Sequence, residues 1–147
     1  MHYLYSIDLE SYQSREIPKE IVRYSQDLQR SLFSSLRRYA KLSGLREKSV
    51  IRRVEKLLEE GCTLFVLRPK NQIKGWIWLT PEGWIEDGYV FENYRDQDWG
   101  ENLIYAALNE IDEKAEIMID SQDTYLLQSL DIVLEKICCR VRISKVE

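Results

Sequence analysis

The sequence predicts a single α+β domain over residues 1–147: a mixed sheet of about six strands, two N-terminal helices, one helix near the middle and one C-terminal helix. Three observations predict it. Apolar residues between Leu28 and Leu58 recur at helical spacing. From Thr63 the period changes to two across three segments, whose connections are too short for a crossover and so imply an antiparallel meander. From Glu86 to Asp120 the chain reads strand, loop, helix, strand, which gives a right-handed crossover to a parallel neighbour.

Taken in order, Tyr3, Tyr5, Ile7 and Leu9 alternate with other residues and predict the first strand. Pro18 suits the first position of a helix, which Ile21, Leu28, Leu32, Leu36 and Tyr39 continue until Gly44 ends it. A second helix begins near Ser49, turns Val50, Ile51, Val54, Leu57 and Leu58 to one face, and stops at Gly61. Thr63–Leu67 is a continuous apolar run suited to burial on both faces. Ile73–Thr80 and Glu86–Phe91 follow as strands, separated by turns at Pro69–Gln72 and Pro81–Gly83. After a polar loop, 92–98, a helix opens at Trp99-Gly100 with Leu103, Ile104, Ala107, Leu108 and Ile111 on one face. Asp98 and Glu101 have the spacing of an N-cap and its capping-box partner. Glu116–Asp120 is a short strand, and Leu126, Leu127, Leu130, Val133, Leu134 and Ile137 line a last amphipathic helix. Cys139, Val141, Ile143 and Val146 close the chain as one strand or a bent pair.

Composition excludes several function classes. No apolar run approaches the ~20 residues that span a bilayer, and no basic-then-apolar leader is present, so a cytoplasmic protein is expected. Cys62, Cys138 and Cys139 lack metal or redox spacing and read as reduced, buried thiols. His2 is the only histidine, which argues against Ser-His-Asp or Cys-His catalysis and against a histidine-rich metal site. The net charge is −4: residues 1–61 carry 12 Lys/Arg and 9 Asp/Glu, residues 62–147 carry 9 and 16. The basic residues lie on helical faces beside acidic ones rather than in an aromatic-interleaved stripe, so nucleic acid is not an expected partner.

The stretch Ile85–Gly100 resembles motif A of the GNAT superfamily, the acyl-CoA-dependent N-acyltransferases. A strand ends in Val90; Tyr94 and Arg95 follow; Gly100 and Leu103 fall in register without a gap. Asp98 holds the position of the first motif glycine, and Asp96 a position where glycine is frequent. The order of elements, and Gly75 early in its strand, are also similar to that superfamily; its C-terminal Tyr-x-x-x-Gly-Phe pattern is missing.

The resemblance implies acetyl-CoA as co-substrate and an amine as acceptor, either a small molecule or a protein or peptide amino group. A strand entering a helix through a tight loop aims free N–H groups and the positive end of the helix dipole at one place. Arg95, Asp96, Gln97, Asp98, Trp99 and Gly100 would form this cradle for the diphosphate, and Val90 and Phe91 would pair with the pantetheine amides. Carboxylates at Asp96 and Asp98 oppose an anion: a like-charge pair ~6 Å apart costs about 3 kcal/mol before screening. Glu86 and Asp87 lie where the superfamily places its proton acceptor; strand alternation lets one of them face the cleft, and an acidic rim without catalysis is the other reading. Tyr125 falls near the superfamily's general-acid tyrosine, or is a packing tyrosine.

All four tryptophans fall between Trp76 and Trp99, as core residues or as the lining of a cleft. Two functions therefore stand beside each other. One is an N-acyltransferase using acetyl-CoA, with a cationic acceptor favoured by an acidic cleft. The other is a catalytically silent GNAT-fold binding or assembly module, suggested by Asp96, Asp98, the acidic residues of 81–101 and the tryptophans. A homodimer stays open.

Overall fold

The computed structural model describes residues 1–147. Seven strands form one mixed sheet: β1 (His2–Asp8), β2 (Ile21–Arg23), β3 (Thr63–Leu67), β4 (Gly75–Leu79), β5 (Trp84–Val90), β6 (Lys114–Asp120) and β7 (Val141–Val146). Four helices accompany them: α1 (Gln29–Leu42), α2 (Glu47–Glu59), α3 (Trp99–Leu108) and α4 (Thr124–Ile137). The strand order is β2-β3-β4-β5-β6-β1-β7. The β3-β4-β5 meander is antiparallel and β6 runs parallel to β5, as the sequence predicts.

The sheet buries a core on each face. Leu32, Leu36, Val54 and Leu57 of α1 and α2 cover Leu64, Val66, Trp76 and Trp78 on one face. On the other, α3 and α4 bring Leu103, Ile104, Leu108, Leu130 and Val133 onto Phe65, Ile77, Ile85 and Ile117. This explains why β3 and β4 are apolar at successive positions: both of their faces are covered. It also explains why α3 is apolar nearly all round, since every residue from Leu103 to Leu108 is buried.

The N-terminal third departs from expectation. No helix begins at Pro18; Ile21 lies instead in β2, paired with Leu67 at the sheet edge, and α1 starts only after a 3-10 turn at Gln26–Leu28. The 3.6-residue spacing holds from Leu28 onward, but Ile21 is apolar because a strand edge needs cover. Both helix ends follow the sequence: Gly44 and Gly61 take φ of +66° and +86° just beyond α1 and α2. The α3 capping box does not form. Asp98 makes no side-chain cap hydrogen bond, and Glu101 faces Lys136 of α4 at 3.3 Å instead. Ile111 falls beyond the end of α3.

The C-terminal segment is the single strand β7, and it does not pair with β6. β1 lies between them, antiparallel to both, with Tyr5 opposite Ile117 on one side and Ile143 on the other. Of the three free cysteines only Cys62 is buried; Cys138 is exposed at the left-handed C-cap of α4, and Cys139 is half-buried.

Candidate active site

The two parallel strands β5 and β6 pair only at their beginnings, Trp84 with Glu116 and Ile85 with Ile117. Beyond Ile85 they part, and the sheet opens. Two devices hold this opening. The first is a bulge: on β5 both Asp87 and Gly88 fall between Glu86, which faces Trp78 of β4, and Tyr89, which faces Trp76. Asp87 sits at φ +53°, a left-handed conformation costly for a residue with a side chain. The bulge breaks the alternation read from sequence, so Glu86 and Asp87 both line the same cavity. The second device is α4, whose Leu126 lies over Gly88: a methyl group placed there would stand 3.2 Å from a Leu126 methyl.

On the α1/α2 side the opening widens into a cavity of about 580 Å³. Its aromatic walls are Tyr39, Trp76, Trp78 and Tyr89. The tryptophan question resolves in both directions, because Trp76 and Trp78 are only 4% and 3% exposed yet also face the cavity. Trp84 and Trp99 are half-buried and lie elsewhere. Carboxylates dominate the charge: Glu86, Asp87, Asp120 and Asp123 line the space with Arg53 and His2. Arg53 of α2 is ion-paired with Asp87, and Asp120 lies 4.0 Å from the His2 imidazole. Asp123 caps α4, accepting from the Leu126 N–H at 3.0 Å. Glu86 has no hydrogen bond or ion pair. Burial pushes its carboxyl above the usual carboxylate range, the Asp87 charge pushes the same way, and Arg53 opposes them.

At the α3/α4 side the strand leads into the loop that opens α3. The N–H groups of Asp96, Gln97, Asp98, Trp99 and Glu101 find no acceptor in the chain. Asp96, Gln97 and Asp98 are exposed, and none of the three lines a cavity beside the opening, so neither carboxylate plugs it. The Gly100 N–H is different: it donates to the Tyr125 hydroxyl at 3.0 Å. Gly100 itself answers to packing. A methyl group there would stand 2.5 Å from Ser129 Oγ and 3.0 Å from the Tyr125 ring. Gly100→Ala is expected to push α4 off α3 and cost about 1–3 kcal/mol, read by urea denaturation; an unchanged midpoint would remove the close approach of the two helices from the account.

Val90 and Phe91 part company here. The Phe91 N–H donates to the Lys74 carbonyl at 2.8 Å, so that donor is spent on β4 and its ring is buried. That bond places Val90 opposite Gly75 with its own N–H and C=O turned away from β4, into the opening. The Val90 carbonyl accepts from Arg95 Nε at 2.7 Å. The guanidinium of Arg95 lies 5.2 Å from the centre of the Tyr89 ring and 5.2 Å from that of Tyr125. The space between these groups amounts to only about 10 Å³.

The structure thus brings Glu86 and Asp87 to one mouth of the opening and Val90, Arg95, Gly100 and Tyr125 to the other, with Gly88, Tyr89 and Leu126 shared between them. Sequence reasoning missed Arg53, Tyr39 and Asp123. Arg53 looks like any charge on the solvated face of an amphipathic helix; it stays exposed, and only its ion pair with Asp87 at the cavity distinguishes it.

A mixed sheet that splays between two parallel strands, with a strand–loop–helix turn at the splay, is the GNAT fold, and comparison with solved structures bears this out. The chain superposes with a TM-score of 0.58 on a protein described as a probable acetyltransferase, at 18% identity, covering 82% of this chain and 89% of that one. A Staphylococcus epidermidis protein of unknown function gives 0.58 at 14% identity over 87% of this chain and 55% of that one. A GCN5-related N-acetyltransferase from Sphaerobacter thermophilus gives 0.52 at 14% identity over 97% of this chain and 48% of that one. The chain therefore spans most of the first of these and about half of the other two. No protein-family model and no curated protein matches the sequence. No helix is long and apolar enough to cross a membrane.

Proposed function

We propose that the protein transfers an acetyl or other acyl group from acyl-CoA to a cationic amine. The observation that carries this reading is the splay itself: one opening joins a set of unpaired amides to an acidic cavity holding an unpaired carboxylate. The amides of 96–99 at the head of α3 are disposed to receive the diphosphate, the Val90 backbone to pair with a pantetheine amide, and the cavity to receive the acceptor. The donor supplies an activated carbonyl. Glu86 first takes a proton from the ammonium, which frees the nitrogen lone pair. The nitrogen then bonds to the carbonyl carbon as the C–S bond breaks, and the second proton it loses balances the one the thiolate gains. Glu86 fits this role better than Asp87, whose charge Arg53 already holds. Tyr125 is the candidate to protonate the leaving thiolate; its oxygen accepts from the Gly100 N–H, so its own proton is not committed to that bond. A cavity of about 580 Å³ lies within the roughly 300–1,000 Å³ of small-molecule sites. Its four carboxylates against Arg53 and one imidazole favour a positively charged acceptor.

A second reading, a silent binding module, is favoured by one observation: the space on the α3/α4 side is nearly filled by Tyr125, Leu126 and Arg95. Calorimetry with CoA and acetyl-CoA, followed by an acetyl-transfer assay against a panel of amines and lysine peptides, separates the two. Binding of both nucleotides with turnover of any amine is expected. Absence of binding at millimolar concentration, in the wild type and in the Tyr125 and Arg95 variants below, would leave the binding module.

A further inference from the structure

We infer that Arg95 and Tyr125 form an internal latch that holds the donor passage shut by occupying the groups that a CoA thioester needs. The inference rests on the acyl-CoA reading above and concerns how that site is regulated. Three contacts define the latch. The Tyr125 hydroxyl accepts from the Gly100 N–H at 3.0 Å, beside the free amides of the α3 head. Arg95 Nε donates to the Val90 carbonyl at 2.7 Å, the β5 acceptor that faces the opening. The Arg95 guanidinium then lies between the Tyr89 and Tyr125 rings at 5.2 Å from each, which ties the two hydrogen bonds into one unit.

Each contact has a counterpart in the bound state. The phenol oxygen takes the place of an anionic oxygen on Gly100. The guanidinium Nε takes the place of a donor amide on Val90. Arg95, the one cation in the stretch 81–101, is turned inward rather than towards the exposed amides where a diphosphate would sit. Latch and ligand compete for the same atoms, so the passage cannot be open and latched at once. The free space on this side is only about 10 Å³, against about 580 Å³ in the large cavity, as expected of a passage these side chains close. The acceptor cavity stays open in the latched state, since neither Arg95 nor Tyr125 lines it.

The surroundings allow release. Tyr125 is the second residue of α4 and only half-buried, and Arg95 lies in the turn between strand and helix. Rotation of two side chains breaks all three contacts with no movement of the sheet. Leu126 stays on Gly88 and keeps α4 in place.

The test is calorimetric binding of CoA to the full chain and three variants. Y125F removes the hydroxyl and frees the Gly100 N–H while keeping the ring. Loss of one competing hydrogen bond of net ~1 kcal/mol predicts about fivefold tighter binding. Y125A removes the ring as well and is expected to tighten binding further. R95A removes both the plug and the cation offered to the diphosphate, so it should gain less than Y125A. Wild type and both Tyr125 variants binding CoA equally would overturn the latch and leave the acyl-CoA reading standing. No binding by any of the four would overturn both. Should the variants unfold, the wild-type amide spectrum decides. On CoA titration, the Gly100 N–H and Arg95 Nε–H signals are expected to shift together. CoA binding that leaves either of them unmoved would refute the latch.

Discussion

Glu86→Gln is expected to abolish most acetyl transfer, lowering kcat about a hundredfold or more, the usual effect of removing a positioned general base. The side chain is half-buried, close in size to its replacement, and bonded to nothing in the chain, so the amide substitutes without breaking a contact. The pH dependence follows from the direction of its shift. Burial and Asp87 hold the Glu86 carboxyl above its ordinary value, so transfer by the wild type should rise with pH through a midpoint above the usual carboxylate range. Stability should run the other way. A carboxyl whose folded-state pKa is raised binds its proton more tightly in the native state. Stability is therefore lost as pH climbs from the unfolded-state pKa through the folded-state value. The Gln variant lacks this loss and should be the more stable protein at neutral pH, by chemical denaturation. Transfer within twofold of wild type, with the pH midpoint unmoved, would remove Glu86 from the reaction.

Trp76→Ala is expected to cost about 3–5 kcal/mol, a large share of the roughly 5–15 kcal/mol that holds a domain together. Trp76 is 4% exposed, and its ring meets three others: Tyr39 edge-on at 5.3 Å, Tyr89 tilted at 5.3 Å and Phe91 edge-on at 6.1 Å. These rings join α1, β4 and the end of β5, and Tyr39, Trp76 and Tyr89 among them line the large cavity. Losing the indole therefore removes core packing and a wall of the large cavity together. Urea denaturation reads the first effect and acceptor KM the second. A destabilisation below about 1 kcal/mol would mean that the indole serves the cavity alone.

The periodic parts of the fold were legible in the sequence. The antiparallel meander, the parallel partner of β5, and the helices ended by Gly44 and Gly61 all rest on local spacing or on one backbone conformation, and both are written in the residues. What the sequence hid is non-local. β2 is three residues long, shorter than any period can reveal, and Ile21 continued a helical pattern by coincidence. The α3 cap is absent, and Glu101 instead meets Lys136, a residue brought near only by the packing of α4. At the site, the residue types on the strand and loop could be read, but their facing could not. The bulge at Asp87 turns two carboxylates to one cavity where strict alternation allows one. Gly100, read from sequence as a motif glycine, has a packing reason that motif reading does not supply: the close approach of Ser129 and Tyr125.

The placement of β1 has a consequence for how the molecule assembles. Its partners, 114–120 and 141–146, lie more than a hundred residues away along the chain. β1 therefore pairs only after segments far along the chain have reached it, with its backbone donors and acceptors unpaired until then. Long-range closures of this kind are slow and expose the waiting strand to wrong partners. β1 and β7 together form one flank of the sheet, with β1 held between β6 and β7. The Met1 carbonyl accepts from the Ser121 N–H and His2 lines the large cavity, so a tag fused ahead of Met1 would emerge beside that cavity.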